Sequence, residues 1–161
     1  PDPPPQLEMN HKSKMFSVSR EYETDINTLF FTALDFTTRP RWQAGIKATD
    51  EVSHKLPQVG THHRCVLDKG EINMITSSYS YSAEKIVYSE TERKKQHAGY
   101  FLFEKLGENK TRVTFDFHLK NNFAMVTMFR LFMKKKYQNL MQQSLENLAE
   151  MVREKPVSVE T

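Results

Sequence analysis

The stretch Asn122–Lys155, NFAMVTMFRLFMKKKYQNLMQQSLENLAEMVREK, contains neither glycine nor proline and follows a series of short strand-like segments ending at Lys120. Its apolar positions Val126, Phe129, Met133, Tyr137, Leu140, Met141, Leu145, Leu148 and Val152 step by threes and fours, the spacing of one buried helical face. At 1.5 Å per residue such a helix is roughly 50 Å long. It needs a partner as wide as a whole sheet, and a sheet curved around it is the simplest one. Its first half, Phe123 to Met133, is apolar around more of its circumference than one stripe needs, so something besides the sheet is expected to cover the extra face.

Upstream, Met15 to Thr24 alternates Phe16, Val18 and Tyr22 with Ser17, Ser19 and Glu21, which predicts a half-buried first strand. Asp25 is placed to N-cap a helix whose apolar positions Ile26, Leu29, Phe30, Ala33 and Leu34 follow the helical period, ending near Phe36. Pro40 can open a second short helix that carries Trp42. Turn signals then recur at Pro57–Gly60, Asp68–Gly70, the polar run Glu90–Gln96 and Gly107–Lys110. Between them the sequence predicts strands at Ile46–His54, Thr61–Leu67, Glu71–Ser80, Glu84–Ser89, His97–Leu106 and Thr111–Lys120. In the last of these Val113, Phe115, Phe117 and Leu119 alternate with Arg112, Thr114, Asp116 and His118, giving an apolar face and a wet one. The fold class is therefore α+β, a curved antiparallel sheet of about seven strands in the order β-α-α-β6-α around a long C-terminal helix. Residues 15–155 form one domain, flanked by a flexible Pro-rich linker or tail (1–14) and a C-terminal tail (156–161).

Charge and composition exclude several functions. A formal charge of +3, from 23 basic against 20 acidic residues, is too small an excess to predict a nucleic-acid partner. A single Cys65 excludes an intrachain disulfide framework and suits a reducing, cytoplasmic compartment. No run of 18 apolar residues and no charged-then-apolar leader is visible. Asn109-Lys110-Thr111 matches the glycosylation acceptor pattern, but in this context it reads as hairpin chemistry.

The order of elements, the segment Arg39-Pro40-Arg41-Trp42-Gln43-Ala44-Gly45-Ile46, the Gly107–Val113 hairpin and the ending Leu145-Glu146-Asn147-Leu148 resemble the START-related polyketide cyclase/dehydrase superfamily. These are helix-grip proteins, similar in architecture to birch-pollen allergen and to steroidogenic lipid-transfer domains. The resemblance covers about Met15 to Glu154, and its motifs carry fold far better than chemistry. It implies that the Trp42–Ile46 segment joins the second helix to the next strand, that Thr111-Arg112-Val113 begins the last strand, and that the final helix closes a cavity that often holds an apolar ligand.

A sheet curled around a helix leaves two apolar walls that need not touch everywhere, and apolar ligands suit such gaps. The residues expected to line this one are Trp42 at the rim, Tyr79, Phe101, Phe103, Phe115, Phe117, Met125, Met128, Phe129 and Phe132. Ordinary core packing explains the same aromatic and Met-rich set, and on the sixth strand Tyr100 and Leu102 compete with Phe101 and Phe103 for the inward face. Trp42 reads as a structural plug before a ligand contact. Cyclisation or dehydration needs a base near a carbon acid and a donor for the developing oxyanion. His63, His97, Tyr79, Tyr81 and His118 are the candidates, but no spacing pairs any two of them. His63 and Cys65 share a strand face, yet two ligands are too few for zinc; neither a metal nor a cofactor is expected.

Three functions stay open: a binding or carrier domain for a hydrophobic or amphipathic small molecule such as a lipid, sterol, isoprenoid or polyketide, presented to a fused or separate protein partner; a cyclase/dehydratase-type enzyme; and a protein-interaction module without ligand, which a contiguous apolar patch outside the groove would favour. Arg130 and Lys134–Lys136 beside the apolar first half of the helix add a transient contact with anionic membrane to the expected partners, though a solvated outer face is the preferred account of the lysines. Arg93-Lys94-Lys95 is read as a soluble turn.

Overall fold

The chain runs β1 (Lys12–Tyr22), α1 (Ile26–Leu34), α2 (Arg39–Trp42), β2 (Ile46–Asp50), β3 (His62–Leu67), β4 (Glu71–Tyr81), β5 (Lys85–Glu92), β6 (His97–Gly107) and β7 (Lys110–Lys120). A continuous helical rod follows, made of α3 (Phe123–Met128), a π-helical turn (Phe129–Met133) and α4 (Lys134–Glu154). The computed structural model describes residues 12–50, 58–94 and 97–154. All strands are antiparallel in one curved sheet of order β1-β7-β6-β5-β4-β3-β2, so β2 to β7 form a meander and β1 closes beside β7. This is the helix-grip α+β fold that the sequence predicts. Among the described residues no helix is long and apolar enough to cross a membrane.

Several boundaries differ from the expected ones for local reasons. β1 begins at Lys12, because Lys12–Lys14 extend the backbone ladder against Lys120, Leu119 and His118 while their polar side chains stay partly or fully exposed. A register shift between Lys14 and Phe16 turns both Met15 and Phe16 into the core. β5 continues to Glu92, through residues whose composition reads as a turn. The rod starts where Asn122 accepts the Met125 N–H, and it is not uniformly α-helical: Lys134 N–H donates to the Phe129 carbonyl, five residues back. The expected continuation of β2 to His54 and most of both predicted tails lie outside the described residues.

α1 is capped as predicted, with the Asp25 carboxylate accepting the Thr28 N–H at 2.9 Å, and its apolar face is fully buried. It stops at Leu34, since Asp35 is already extended. Two of the segments that carried the resemblance turn out to be bonded to each other. Ala44 N–H donates to Ser144 Oγ (2.9 Å), and Asn147 Nδ2 donates to the Trp42 carbonyl (3.2 Å). Between them Gly45 takes φ +88°, where a Cβ would stand 3.4 Å from Leu140 Cδ2; the turn is tight and left-handed, which favours glycine. Tyr22 OH donates to the Leu145 carbonyl at 2.8 Å and fixes α4 to β1.

Inside the grip, Phe101, Phe103, Val113 and Phe115 face the helices from β6 and β7, which settles the parity of the sixth strand. Gly99 belongs to the same inward row. A Cβ built there would lie 2.8 Å from the Phe115 Cε2 ring carbon, closer than packed atoms tolerate. Gly99→Ala must therefore displace that ring, at an expected cost of about 1–3 kcal/mol, or roughly 2–4 °C of melting temperature per kcal/mol for a domain of this size. Thermal melts of G99A and of G99A/F115L check this: the double variant should fall short of the sum of its single losses.

Candidate functional site

α2 is only one turn long, yet it delivers the most buried charge among the described residues. Arg39 is 0% exposed. Its Nη1 donates to Glu90 Oε1 (3.0 Å) and Gln43 Oε1 (2.9 Å), and its Nη2 donates to Glu90 Oε2 (3.3 Å), a forked pair across the gap to β5. The guanidinium lies 5.4–5.6 Å from the ring centroids of Trp42, Phe36 and Phe101, which enclose it. Tyr88 OH donates to Glu90 Oε2 at 2.7 Å. His63 Nε2 approaches the same oxygen at 3.5 Å, while Phe36 stacks on the imidazole with centroids 4.4 Å apart.

The strands bring this cluster together by alternation. On β5, Tyr88 and Glu90 face inward, two residues apart. Ser89 and Thr91 point the other way into a hydroxyl network, in which Ser89 Oγ lies 2.8 Å from Ser77 Oγ and Thr91 donates to Ser77 at 2.9 Å. Glu90 is opposite Thr76 on β4 and Gly99 on β6, and His63 is opposite Met74.

Burial alone would raise the Glu90 carboxyl, but the Arg39 charge, His63 and the hydrogen bonds from Arg39 and Tyr88 outweigh it and hold it down to about 2. Burial works against the Arg39 charge too, and Glu90 more than compensates, so its pKa rises. His63 is driven down to about 4 by burial, against partial opposition from Glu90. It is thus a neutral imidazole at pH 7. Tyr88 is raised well above its ordinary value, first by burial and then by Glu90. The Cys65 thiol is pushed up to about 12 by burial, with Glu90 adding to it. One cation and one carboxylate therefore sit among neutral donors and acceptors. Both ring nitrogens of His63, and Arg39 Nε, lack a hydrogen-bond partner.

The ten residues expected to line a cavity separate into groups. Phe101, Phe103, Phe115 and Phe129 are buried, and Phe117 and Met125 pack half-buried against that core. Phe117 stacks on Phe16 and Phe129 and lies parallel to Tyr137 at 6.4 Å, so rings fill the space between sheet and rod at this level. Trp42 donates its Nε1–H to the Ala33 carbonyl at 3.1 Å and walls the Arg39 box. Tyr79 is exposed near the end of β4, 5.9 Å from the Phe30 ring. Met128 and Phe132 are not brought to the others. Val126, Phe129 and Met133 take the sheet-facing side, which leaves these two on the exposed side of the rod.

An open cleft of about 450 Å³ lies instead at the β3–β4 and β5–β6 hairpin end, lined by Glu71, Ile72, Asn73, Glu92, Lys94 and His97, none of them among the ten. The His97 ring is 5.6 Å from Phe117, so the cleft lies beside the aromatic stack, and Glu92 places it two residues along β5 from Glu90. Of the acid-base candidates, only His63 belongs to the cluster. Tyr81 bonds Asn27, and His118 is covered on the outer face by Tyr100 at 4.7 Å. Glu90, Tyr88 and Arg39 were missed as site residues. The available signal was the continued Ile86-Tyr88-Glu90 alternation. Among the described residues no group of three or more His, Cys, Asp or Glu is arranged to hold a metal ion.

This architecture is a helix-grip α+β fold, the fold that the sequence resemblance implies. Similar solved structures include the KanY protein (TM-score 0.68, 11% identity, 88% of this chain and 98% of that one) and a hypothetical protein of Helicobacter pylori (0.66, 12%, 86% and 88%). A Thalictrum flavum norcoclaurine synthase point mutant, bound to a transition-state analogue, also matches (0.60, 9%, 89% and 95%). Identities this low carry the fold alone. No protein-family profile and no curated protein matches the chain.

Two expectations follow from the cluster. The unfolded chain binds a proton at His63 near pH 6.5 and the folded chain only near 4, so stability falls as pH drops through that window. Glu90 acts in the same direction from about 4.5 down to about 2. Denaturant titrations from pH 7 to 4 should lose roughly 3 kcal/mol to His63, and His63→Phe should flatten that segment. Arg39→Met, which strands Glu90 without its cation, should cost about 3–5 kcal/mol, whereas R39M/E90M should recover most of the loss. Additive losses in the double variant would show that the pair is not coupled.

Proposed function

We propose that the protein is a cytoplasmic binding or carrier domain for an amphipathic small molecule. The molecule enters by the hairpin-end cleft, parts the ring stack around Phe117 that fills the gap between sheet and rod, and points its polar end at the His63–Glu90–Arg39 cluster. The observation that carries this reading is His63, 2% exposed with neither ring nitrogen bonded. A buried polar group left unpartnered costs about 1–3 kcal/mol, and a buried ion pair adds little net stability over apolar packing. A ligand hydroxyl or carbonyl meeting the imidazole would supply the missing bond. The cleft volume also falls in the range of small-molecule pockets.

A cyclase/dehydratase-type activity is the second reading, and one observation favours it. A neutral imidazole is free to accept a proton at pH 7, although a pKa near 4 makes it a weak base, and the unpaired Arg39 Nε–H is a donor for a developing oxyanion. Tyr88 has its proton committed to Glu90 and offers no donor.

Native mass spectrometry of the purified protein, with thermal shifts against fatty acids, sterols, isoprenoids and aromatic polyketides, tests the first reading. A ligand at a hundred times its Kd adds about 2.7 kcal/mol, or roughly 5–10 °C for a domain of this size, and H63F should abolish the shift. No retained molecule and no shift in any class would remove the carrier reading. Turnover of a bound ligand that H63F eliminates would replace it with the enzymatic one.

A further inference from the structure

The first half of the helical rod has two apolar sides, and only one is packed. Val126 and Phe129 are buried against the sheet and Met133 is half-buried beside them. On the other side Met128, Leu131 and Phe132 are 55%, 70% and 79% exposed, and Phe123 at the rod's start is 88% exposed. Met128, Leu131, Phe132 and Lys135 stand at i, i+3, i+4 and i+7, the spacing of a single helix face. Arg130, Lys134 and Lys136 flank that face and are exposed with Lys135. From Asn122 to Leu145 the sequence holds no acidic residue. Among the described residues none of these four cations is in an ion pair.

We propose that this face docks on an anionic lipid bilayer, with Phe123, Met128, Leu131 and Phe132 entering the headgroup–acyl boundary and Arg130 and Lys134–Lys136 pairing with lipid phosphates and carboxylates. Charge complementarity selects the occupant. Long basic side chains lay their stems along apolar surface and keep their heads at headgroup level, and each cation near an anionic surface adds roughly fivefold in affinity. A second copy is disfavoured by the same charges, because a two-fold interface centred on Leu131 and Phe132 would bring four cations against four. The proposal uses none of the buried cluster, so it stands or falls apart from the ligand reading.

Vesicle flotation tests it, with the full chain on phosphatidylcholine alone and on an equimolar mixture of phosphatidylcholine and phosphatidylserine. The protein should float with the mixed vesicles only, and raised salt should release it. Leu131→Ser with Phe132→Ser, and separately Lys134→Glu with Lys135→Glu and Lys136→Glu, should each weaken binding at least tenfold with unchanged circular dichroism and melting temperature, since these side chains are exposed. Failure to float with the mixed vesicles, or equal flotation of both variants, overturns the proposal. Concentration-dependent dimerisation in light scattering that L131S/F132S abolishes would also overturn it, by assigning the face to a second copy.

Discussion

The forked pair between Arg39 and Glu90 is the constraint around which the inner face is organised. A guanidinium removed from water is tolerated only where its charge is matched and its donors are used, and here the match comes from a strand 51 residues away. The pair places α2 over β5. Once α2 is there, the Trp42 ring must pack beside the guanidinium, and the Trp42 carbonyl and Ala44 N–H are presented to Asn147 and Ser144 of α4. Sheet, short helix and long helix are thereby linked through one ion pair and two hydrogen bonds. Because removing either charge strands the other, the pair specifies an arrangement more than it adds stability.

Most of the fold was legible because it rests on local periodicity. The alternation of Val113, Phe115 and Phe117, the Asp25 cap and the steps of three and four along the last helix are each visible within a dozen residues. Element ends were less legible where tertiary pairing overrides composition. Glu90-Thr91-Glu92-Arg93 reads as a polar turn, and nothing local says that Glu90 points inward to meet Arg39 or that Thr91 bonds Ser77. Lys12–Lys14 read as tail for the same reason: their side chains are polar, and their place in the sheet is set by backbone pairing with β7.

The site was harder to read than the fold. An aromatic list cannot distinguish a wall from a filling, and Phe16, Phe117, Phe129 and Tyr137 prove to stack on one another. His63 was among the candidates, but its neighbours were not, because they come from α2 and β5 and share no motif. What singles out the cluster is energetic. In a core that aromatic rings fill by themselves, a carboxylate, a guanidinium, a phenol and an unpartnered imidazole add desolvation cost that packing does not require. Such a concentration of shifted groups is where chemistry or recognition is sought first.

The π-helical turn explains how the rod comes to have two different halves. Phe129, Met133, Tyr137, Met141 and Leu145 are spaced by four, and an α-helix overshoots by about 40° at each such step. Four steps would carry the stripe well around the rod and off the sheet. The turn at Phe129–Met133, with its bond from Lys134 N–H to the Phe129 carbonyl, has more residues per turn and takes back part of that drift. It keeps Phe129 and Tyr137 in one stack with Phe117. The same winding holds Met128, Leu131 and Phe132 on the side away from the sheet, where no rotation of the rod can bury them without exposing Phe129. The bare apolar face follows from the packing of the other one, and four exposed cations stand beside it.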